Sequence, residues 1–110
     1  MRGALLALVL AVGASGCATI RATPEEQQAA QDRRITCYTE KAHLLDDGRS
    51  DASTIGHAVL AACDPETAAV NETYIRGMSA DAGYTFLRLA AQGDADFATR
   101  VVLLVRNKRR

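Results

Sequence analysis

Apolar residues recur at spacings of three and four along much of the chain, which is the pattern of helices with one buried face. The first predicted helix runs from Pro24 to about Asp46, with Thr23 as N-cap and Glu26 at the third helical position. Its predicted core face comprises Ile35, Tyr38, Ala42 and Leu45. The polar, alanine-rich stretch 25–34 is predicted to project as a solvated stalk.

Two shorter helices are predicted after a turn at 46–51. Ser50 is the expected N-cap of a helix from about Asp51 to Cys63. Asp64 and Pro65 then begin another helix by the same combination of cap and proline. Their predicted core faces are Ile55, Ala58, Val59 and Ala62 in the first, and Ala68, Asn71, Ile75 and Met78 in the second.

The remainder is predicted as two further helices. Ser79 is the expected cap of a helix whose face is Tyr84, Leu87 and Ala91, although 84–87 is also compatible with a strand. Gly93 is expected to break this helix, and Asp94 to cap a last one with Phe97, Val101 and Leu104 on its face.

These elements predict an all-α domain at 23–110, built as a small bundle of three to five helices. Hydrophobic residues make up 48% of the chain but aromatic ones only 5%, so the core must be built mainly from Ala, Leu, Val and Ile. The 13 basic and 13 acidic residues balance, which argues against nucleic acid as a partner.

The start of the chain has the three parts of an export signal. Met1-Arg2 is cationic, residues 4–12 are apolar, and Ala14-Ser15-Gly16-Cys17 supplies small residues before a cysteine. The apolar stretch is shorter than the roughly 20 residues that span a bilayer. This arrangement resembles the type II signal peptide and lipobox of bacterial lipoproteins, except that Ala14 stands where Leu is usual.

That resemblance implies removal of residues 1–16 and a diacylglyceryl thioether on Cys17, often with a palmitate or similar acyl group on its new amine. Residues 17–22 would then be a lipidated tether to the membrane. Ala18, in the place where Asp holds lipoproteins at the inner membrane, favours the outer membrane facing the periplasm. An ordinary secretory signal cut after Gly16 is the alternative.

If Cys17 carries lipid, Cys37 and Cys63 are left to pair in an oxidising compartment. Their bond would staple the first two helices into a hairpin. Two separate buried thiols are the alternative. Metal binding is disfavoured, because the chain has no C-x-x-C motif and because His43 and His57 are predicted to be exposed, away from the apolar faces.

Two charged segments have alternative interpretations. Asp46, Asp47 and Asp51 surround Gly48, which suggests weak Ca²⁺ binding or, preferably, a solvated turn that caps helices. The basic segment 106–110 is interpreted as a frayed, solvated tail, with contact to anionic headgroups as the alternative.

The segment 37–63 also resembles a recurrent segment of small exported proteobacterial proteins of unknown function, and this supports only the helical hairpin. The sequence contains no nucleophile motif, phosphate loop or acid–base constellation, so no enzymatic activity and no cofactor are expected. The predicted function is that of an envelope accessory lipoprotein that binds a protein partner, in the manner of small helical pilotin-like lipoproteins. A carrier or sensor of a small apolar ligand is the alternative.

Overall fold

The protein, described by a computed structural model over residues 21–110, is a bundle of four helices. They are α1 (Pro24–Leu45), α2 (Ala52–Ala62), α3 (Asp64–Ile75) and α4 (Ala80–Lys108). The predicted all-α class and helix number are therefore confirmed. The predicted signal peptide, Cys17 and the first part of the tether lie outside the described residues.

The helix starts follow local capping chemistry. Thr23 Oγ1 accepts the Glu26 N–H at 3.1 Å while the Glu26 carboxylate accepts the Thr23 N–H at 3.2 Å, so the predicted start of α1 is confirmed. Ser79 caps α4 as predicted. The predicted cap of α2 is wrong by one residue, because Ser50 donates to Asp47 and leaves Asp51 to cap the helix.

The predicted break at Gly93 is wrong. α4 has 29 residues and continues without interruption through Gly93, and Asp94 lies inside the helix instead of capping a new one. A mid-helix glycine costs only about 1 kcal/mol relative to alanine, which the long packed face of α4 outweighs. The alternative of a strand at 84–87 is also excluded, since these residues belong to the same helix.

The predicted solvated stalk at 25–34 is also wrong. Ala30 is buried, and Gln31 donates to the Tyr74 hydroxyl at 2.8 Å. Arg76 reaches back to Glu26 at 2.7 Å. The first half of α1 therefore packs along α3, where its polar residues find partners that the local sequence pattern does not reveal.

The main core lies where α1, α2 and the second half of α4 meet. Its buried residues are Tyr38, Ala42, Ala52, Ile55, Val59, Cys63, Ala98, Val101, Val102 and Val105. Within the predicted faces of α1, α2 and the last stretch, the buried positions are Tyr38, Ala42, Ile55, Val59 and Val101. The predicted face residues that are exposed are Ile35, Leu45, Ala58, Ala62 and Leu104.

The predicted buried face of α3 is wrong. Its buried residues are Thr67, Val70 and Thr73, whereas the residues of the predicted line, Ala68, Asn71, Ile75 and Met78, are all partly or largely exposed. The reason is that α3 packs mainly against α1, which leaves the predicted line beside α4 only partly covered. None of the helices within 21–110 is both long enough and apolar enough to cross a membrane.

Candidate functional site

The Cys37–Cys63 disulfide is present and joins α1 to the junction between α2 and α3. The predicted staple of the helical hairpin is therefore confirmed. Cys63 is fully buried at the C-cap of α2, so the bond also fixes the point where α3 begins. This fixed junction determines how α3 leaves the hairpin and approaches α4.

An open groove separates α3 from the first half of α4. These helices run antiparallel, with Tyr74 stacked on Phe86 at 5.7 Å and Asn71 bonded to Asp94 further along. The groove has a volume of about 420 Å³. Its lining residues are Leu60, Asp64, Thr67, Ala68, Asn71, Glu72, Ile75, Leu87, Ala91 and Asp94.

The apolar wall contributed by α4 is the continuation of its core face. Leu87 and Ala91 lie four residues apart on the same stripe as Asp94, Ala98 and Val101. The stripe is buried from Asp94 onward, whereas Leu87 is 40% exposed and Ala91 is exposed. The groove is thus a stretch of core-type surface that no element within 21–110 covers.

The floor of the groove ends on a buried ion pair. Asp94, only 7% exposed, accepts from Arg34 Nη1 at 2.9 Å and from Asn71 Nδ2 at 3.0 Å. The Arg34 guanidinium lies over the Phe97 ring at 4.8 Å, a cation–π contact. Because one carboxylate binds side chains from both α1 and α3, Asp94 fixes the relative position of the three helices at this point.

A second buried polar contact supports the same junction. The hydroxyls of Tyr38 and Thr67 lie 2.6 Å apart and join α1 to α3. Burial raises the pKa of Tyr38 above its ordinary value of 10.0, so this phenol stays neutral. The floor of the groove is therefore held by two cross-helix polar contacts.

The rim of the groove is acidic. Asp64 and Glu72 stand on α3, and none of the described lining residues is Lys or Arg. Arg76 donates two hydrogen bonds to Glu72, which lies four residues before it, and these bonds lower the pKa of that carboxyl. The groove therefore presents apolar walls, the Asp64 carboxylate and the Glu72 carboxylate with its Arg76 partner.

The acidic turn at 46–51 is an organised helix-capping turn, as predicted. Asp47 accepts from the Ser50 hydroxyl at 2.6 Å and from the backbone N–H of Arg49 and Ser50. These bonds lower the pKa of Asp47 to about 2. The Asp46 side chain is shielded from solvent and pairs with Arg106 of α4 at 2.8 Å, so the predicted solvation of the turn is wrong at this residue.

The basic segment 106–110 is not a frayed tail. Arg106 donates to Asp46 and to the Ser50 carbonyl, and Arg109 donates to the His43 carbonyl at 3.0 Å. The helix continues to Lys108. The prediction of a solvated tail is wrong because these arginines lock the end of α4 onto the turn between α1 and α2.

The histidines are exposed, as predicted. His57 Nδ1 donates to the Ser53 carbonyl of its own helix at 2.7 Å, and His43 Nδ1 accepts from Arg109. The Glu66 carboxylate lies within 4.8 Å of the sulfurs of Cys37 and Cys63. Because those sulfurs are bonded to each other, they offer no thiolate to a metal.

The sequence analysis did not predict the groove, although the apolar stripe along α4 indicates it. The stripe through Leu87, Ala91, Asp94 and Ala98 is unbroken once Gly93 is read as helical. Comparisons of the chain with family models, with curated proteins and with solved structures found no match. The groove and its buried ion pair are therefore the features on which a functional proposal rests.

Proposed function

We propose that this chain is a lipid-anchored envelope protein that binds a protein partner in the groove between α3 and α4 and catalyses no reaction. The leader ending at Cys17 supports the anchor and a periplasmic location at the outer membrane. The Cys37–Cys63 disulfide supports export, since such bonds persist in oxidising compartments. The uncovered apolar groove is the observation that carries the binding role.

The shape of the groove favours a helix as its occupant. It runs between two antiparallel helices and is open along one side, as a site for a third helix would be. A small ligand in a typical pocket is buried over most of its surface, which an open groove does not achieve. An amphipathic helix buries only one face in such a groove and leaves the other in water.

The charge of the groove favours a cationic occupant. Asp64 lines the groove as a carboxylate, Glu72 lines it as a carboxylate paired with Arg76 at 2.7 Å, and the described lining residues contribute no basic side chain. A partner helix with an apolar stripe flanked by Lys or Arg matches both properties. Complementary charges of this kind set specificity and association rate more than affinity.

Photo-crosslinking in intact cells tests the proposal. Benzoylphenylalanine replaces Leu87 in the groove, or Leu103 on α4 as an exposed control that does not line the groove. We expect an adduct only from position 87. The crosslinked peptide of the partner should carry an apolar stripe with helical spacing and adjacent Lys or Arg.

Two substitutions of alanine by lysine test whether the adduct at position 87 depends on binding in the groove. Ala68→Lys places a long cation among the lining residues, and Ala61→Lys places the same side chain on an exposed face of α2. We expect Ala68→Lys to abolish the adduct and Ala61→Lys to preserve it. Adducts that survive Ala68→Lys, or a partner peptide without the expected pattern, contradict the proposal.

The volume of the groove supports the competing role of a small apolar-ligand carrier. About 420 Å³ falls within the range of roughly 300–1,000 Å³ that is typical of ligand pockets. Native mass spectrometry of the protein released from its membrane distinguishes the two functions. A retained apolar molecule that Ala68→Lys displaces, with no adduct from position 87, favours the carrier.

A further inference from the structure

The start of α1 and the turn between α3 and α4 lie at the same end of the bundle. Arg21, Ala22 and Gln27 line a cavity of about 370 Å³ together with the residues of the turn. The other lining residues are Thr73 and Tyr74 at the end of α3, and Arg76, Gly77 and Met78 in the turn. The chain therefore enters the bundle beside the α3–α4 turn.

This arrangement limits how far that end can stand from the anchor. Five residues separate Cys17 from Thr23, and an extended residue spans about 3.3–3.6 Å, so the link covers at most roughly 20 Å. The inference rests on the proposed lipidation of Cys17. With that anchor, the start of α1 is held within about 20 Å of the lipid attachment point, and the α3–α4 turn lies beside it.

The basic segment 106–110 lies at the C-terminal end of α4, away from the α3–α4 turn. α4 has 29 residues, which corresponds to a length of about 43 Å. Arg106 and Arg109 at its end are bound to the turn between α1 and α2. Headgroup contact by this segment, the alternative raised by the sequence, would require the bundle to lie on its side.

The tethered end carries the side chains that suit a membrane interface. Met78 is 44% exposed in the turn, and Tyr84 is 66% exposed within about 6 Å of the start of α4. Tyr74 is partly exposed and stacks on Phe86. Tyrosine is enriched at membrane interfaces because its ring is apolar and its hydroxyl is polar.

We propose that this end is a membrane-contact surface, formed by Arg21, Tyr74 and Met78 around one cavity and by Tyr84 on the opposite side of the start of α4, which inserts among phospholipid headgroups and holds the bundle upright. The lipid on Cys17 supplies the anchor, and the membrane-contact surface supplies the orientation. The first half of α4 then stands next to the membrane. The partner groove consequently opens just above the headgroups, within reach of a juxtamembrane segment of an envelope protein.

Because the chain contains no tryptophan, the tryptophan fluorescence of a variant comes only from the introduced residue. Met78→Trp is introduced into the full chain, and the processed lipoprotein is purified and reconstituted into vesicles of phosphatidylethanolamine and phosphatidylglycerol. Leu104→Trp, at a 60% exposed position near the far end of α4, is the matched control. Tyr84→Trp is a second reporter in case the turn variant misfolds.

Phospholipids brominated near the headgroup end of their acyl chains quench only tryptophans at the interface. We expect Met78→Trp and Tyr84→Trp to be quenched about twofold or more relative to Leu104→Trp. Equal quenching of all three in protein that floats with the vesicles overturns the orientation but leaves the anchor intact. Protein that does not float, with an unmodified Cys17 by mass spectrometry, overturns the anchor and the orientation together.

Discussion

Gly56 of α2 lies directly against the backbone of Thr99 in α4. A Cβ atom at Gly56 would stand 2.9 Å from both the Cα and the N of Thr99. Backbone atoms inside a packed helix cannot yield as a flexible side chain does. The close approach of α2 and α4, which forms the main core, therefore depends on the missing side chain at position 56.

The first prediction is that Gly56→Ala destabilises the protein. Alanine favours helix over glycine by about 1 kcal/mol, but the clash forces the two helices apart. Overpacking of this kind costs about 1–3 kcal/mol, and we expect a net loss of unfolding free energy in urea titrations. A Gly56→Ala variant as stable as the wild type would contradict the close packing of α2 on α4.

Gly93→Ala is the matched control and should have the opposite effect. Gly93 is exposed in the middle of α4, and nothing lies within 4 Å of a Cβ at that position. Alanine there keeps its helical advantage without a clash, so we expect a gain of about 0.5–1 kcal/mol. A loss of stability would show that Gly93 is needed as a helix break after all.

Gly93 also illustrates which parts of the fold could be predicted from the sequence. Starts at Thr23 and Ser79 depend on residues three positions away, and the local sequence reveals them. The continuity of the helix at Gly93 depends on the packing of α4 against the other three helices, which no local pattern records. Local signals therefore identified most helix ends, whereas tertiary contacts determined the continuity of α4.

The candidate site was harder to predict for the same reason. The disulfide followed from counting cysteines, but Asp94 was interpreted as a helix cap because an acidic residue after a glycine is typical of one. Its actual partners, Arg34 and Asn71, lie 60 and 23 residues away in sequence. These long-range bonds tie α4 to α1 and α3 where Asp94 lines the groove, and no local sequence pattern records them.

A second prediction concerns the disulfide. The bond between Cys37 and Cys63 closes a loop of 27 residues, counting both ends. The chain-entropy model gives a stabilisation of about 3.5 kcal/mol for that length. Cys37→Ala combined with Cys63→Ala should lower the unfolding free energy by about this amount in guanidinium titrations. A much smaller loss would mean that helix packing alone fixes the hairpin.

A third prediction compares the loss of unfolding free energy when one partner of the buried ion pair is removed with the loss when both partners are replaced. Asp94→Ala leaves the Arg34 guanidinium buried without its partner, for which we expect a loss of about 3–5 kcal/mol. Arg34 Nε already lacks a hydrogen-bond partner in the interior. Replacing both residues, as Arg34→Met with Asp94→Leu, removes both charges and fills the space with apolar groups.

We expect this double variant to lie within about 1–2 kcal/mol of the wild type, because removal of both charges also removes their desolvation cost and leaves the lost bond from the Asn71 amide as the remaining penalty. Thermal unfolding of the three proteins at one pH gives the comparison. If the double variant is as unstable as Asp94→Ala, the pair itself stabilises the junction. The crosslinking yield from position 87 then shows whether the groove depends on that stabilisation.

The last prediction concerns acid stability and Asp47. Hydrogen bonds from Ser50 and Arg49 lower the pKa of this carboxyl from 3.8 to about 2 in the folded protein. A depressed pKa in the folded state stabilises the protein above the unfolded-state pKa. That contribution is lost as the pH falls from about 4 to 2. Asp47→Ala should therefore be less stable than the wild type at pH 7, and the difference should shrink toward pH 2.

Urea titrations at several pH values provide the measurement, and Asp47→Asn adds a neutral side chain that still accepts hydrogen bonds. A difference between the wild type and Asp47→Ala that stays constant down to pH 2 would place the origin of the effect in packing, because ionisation of Asp47 could not produce it.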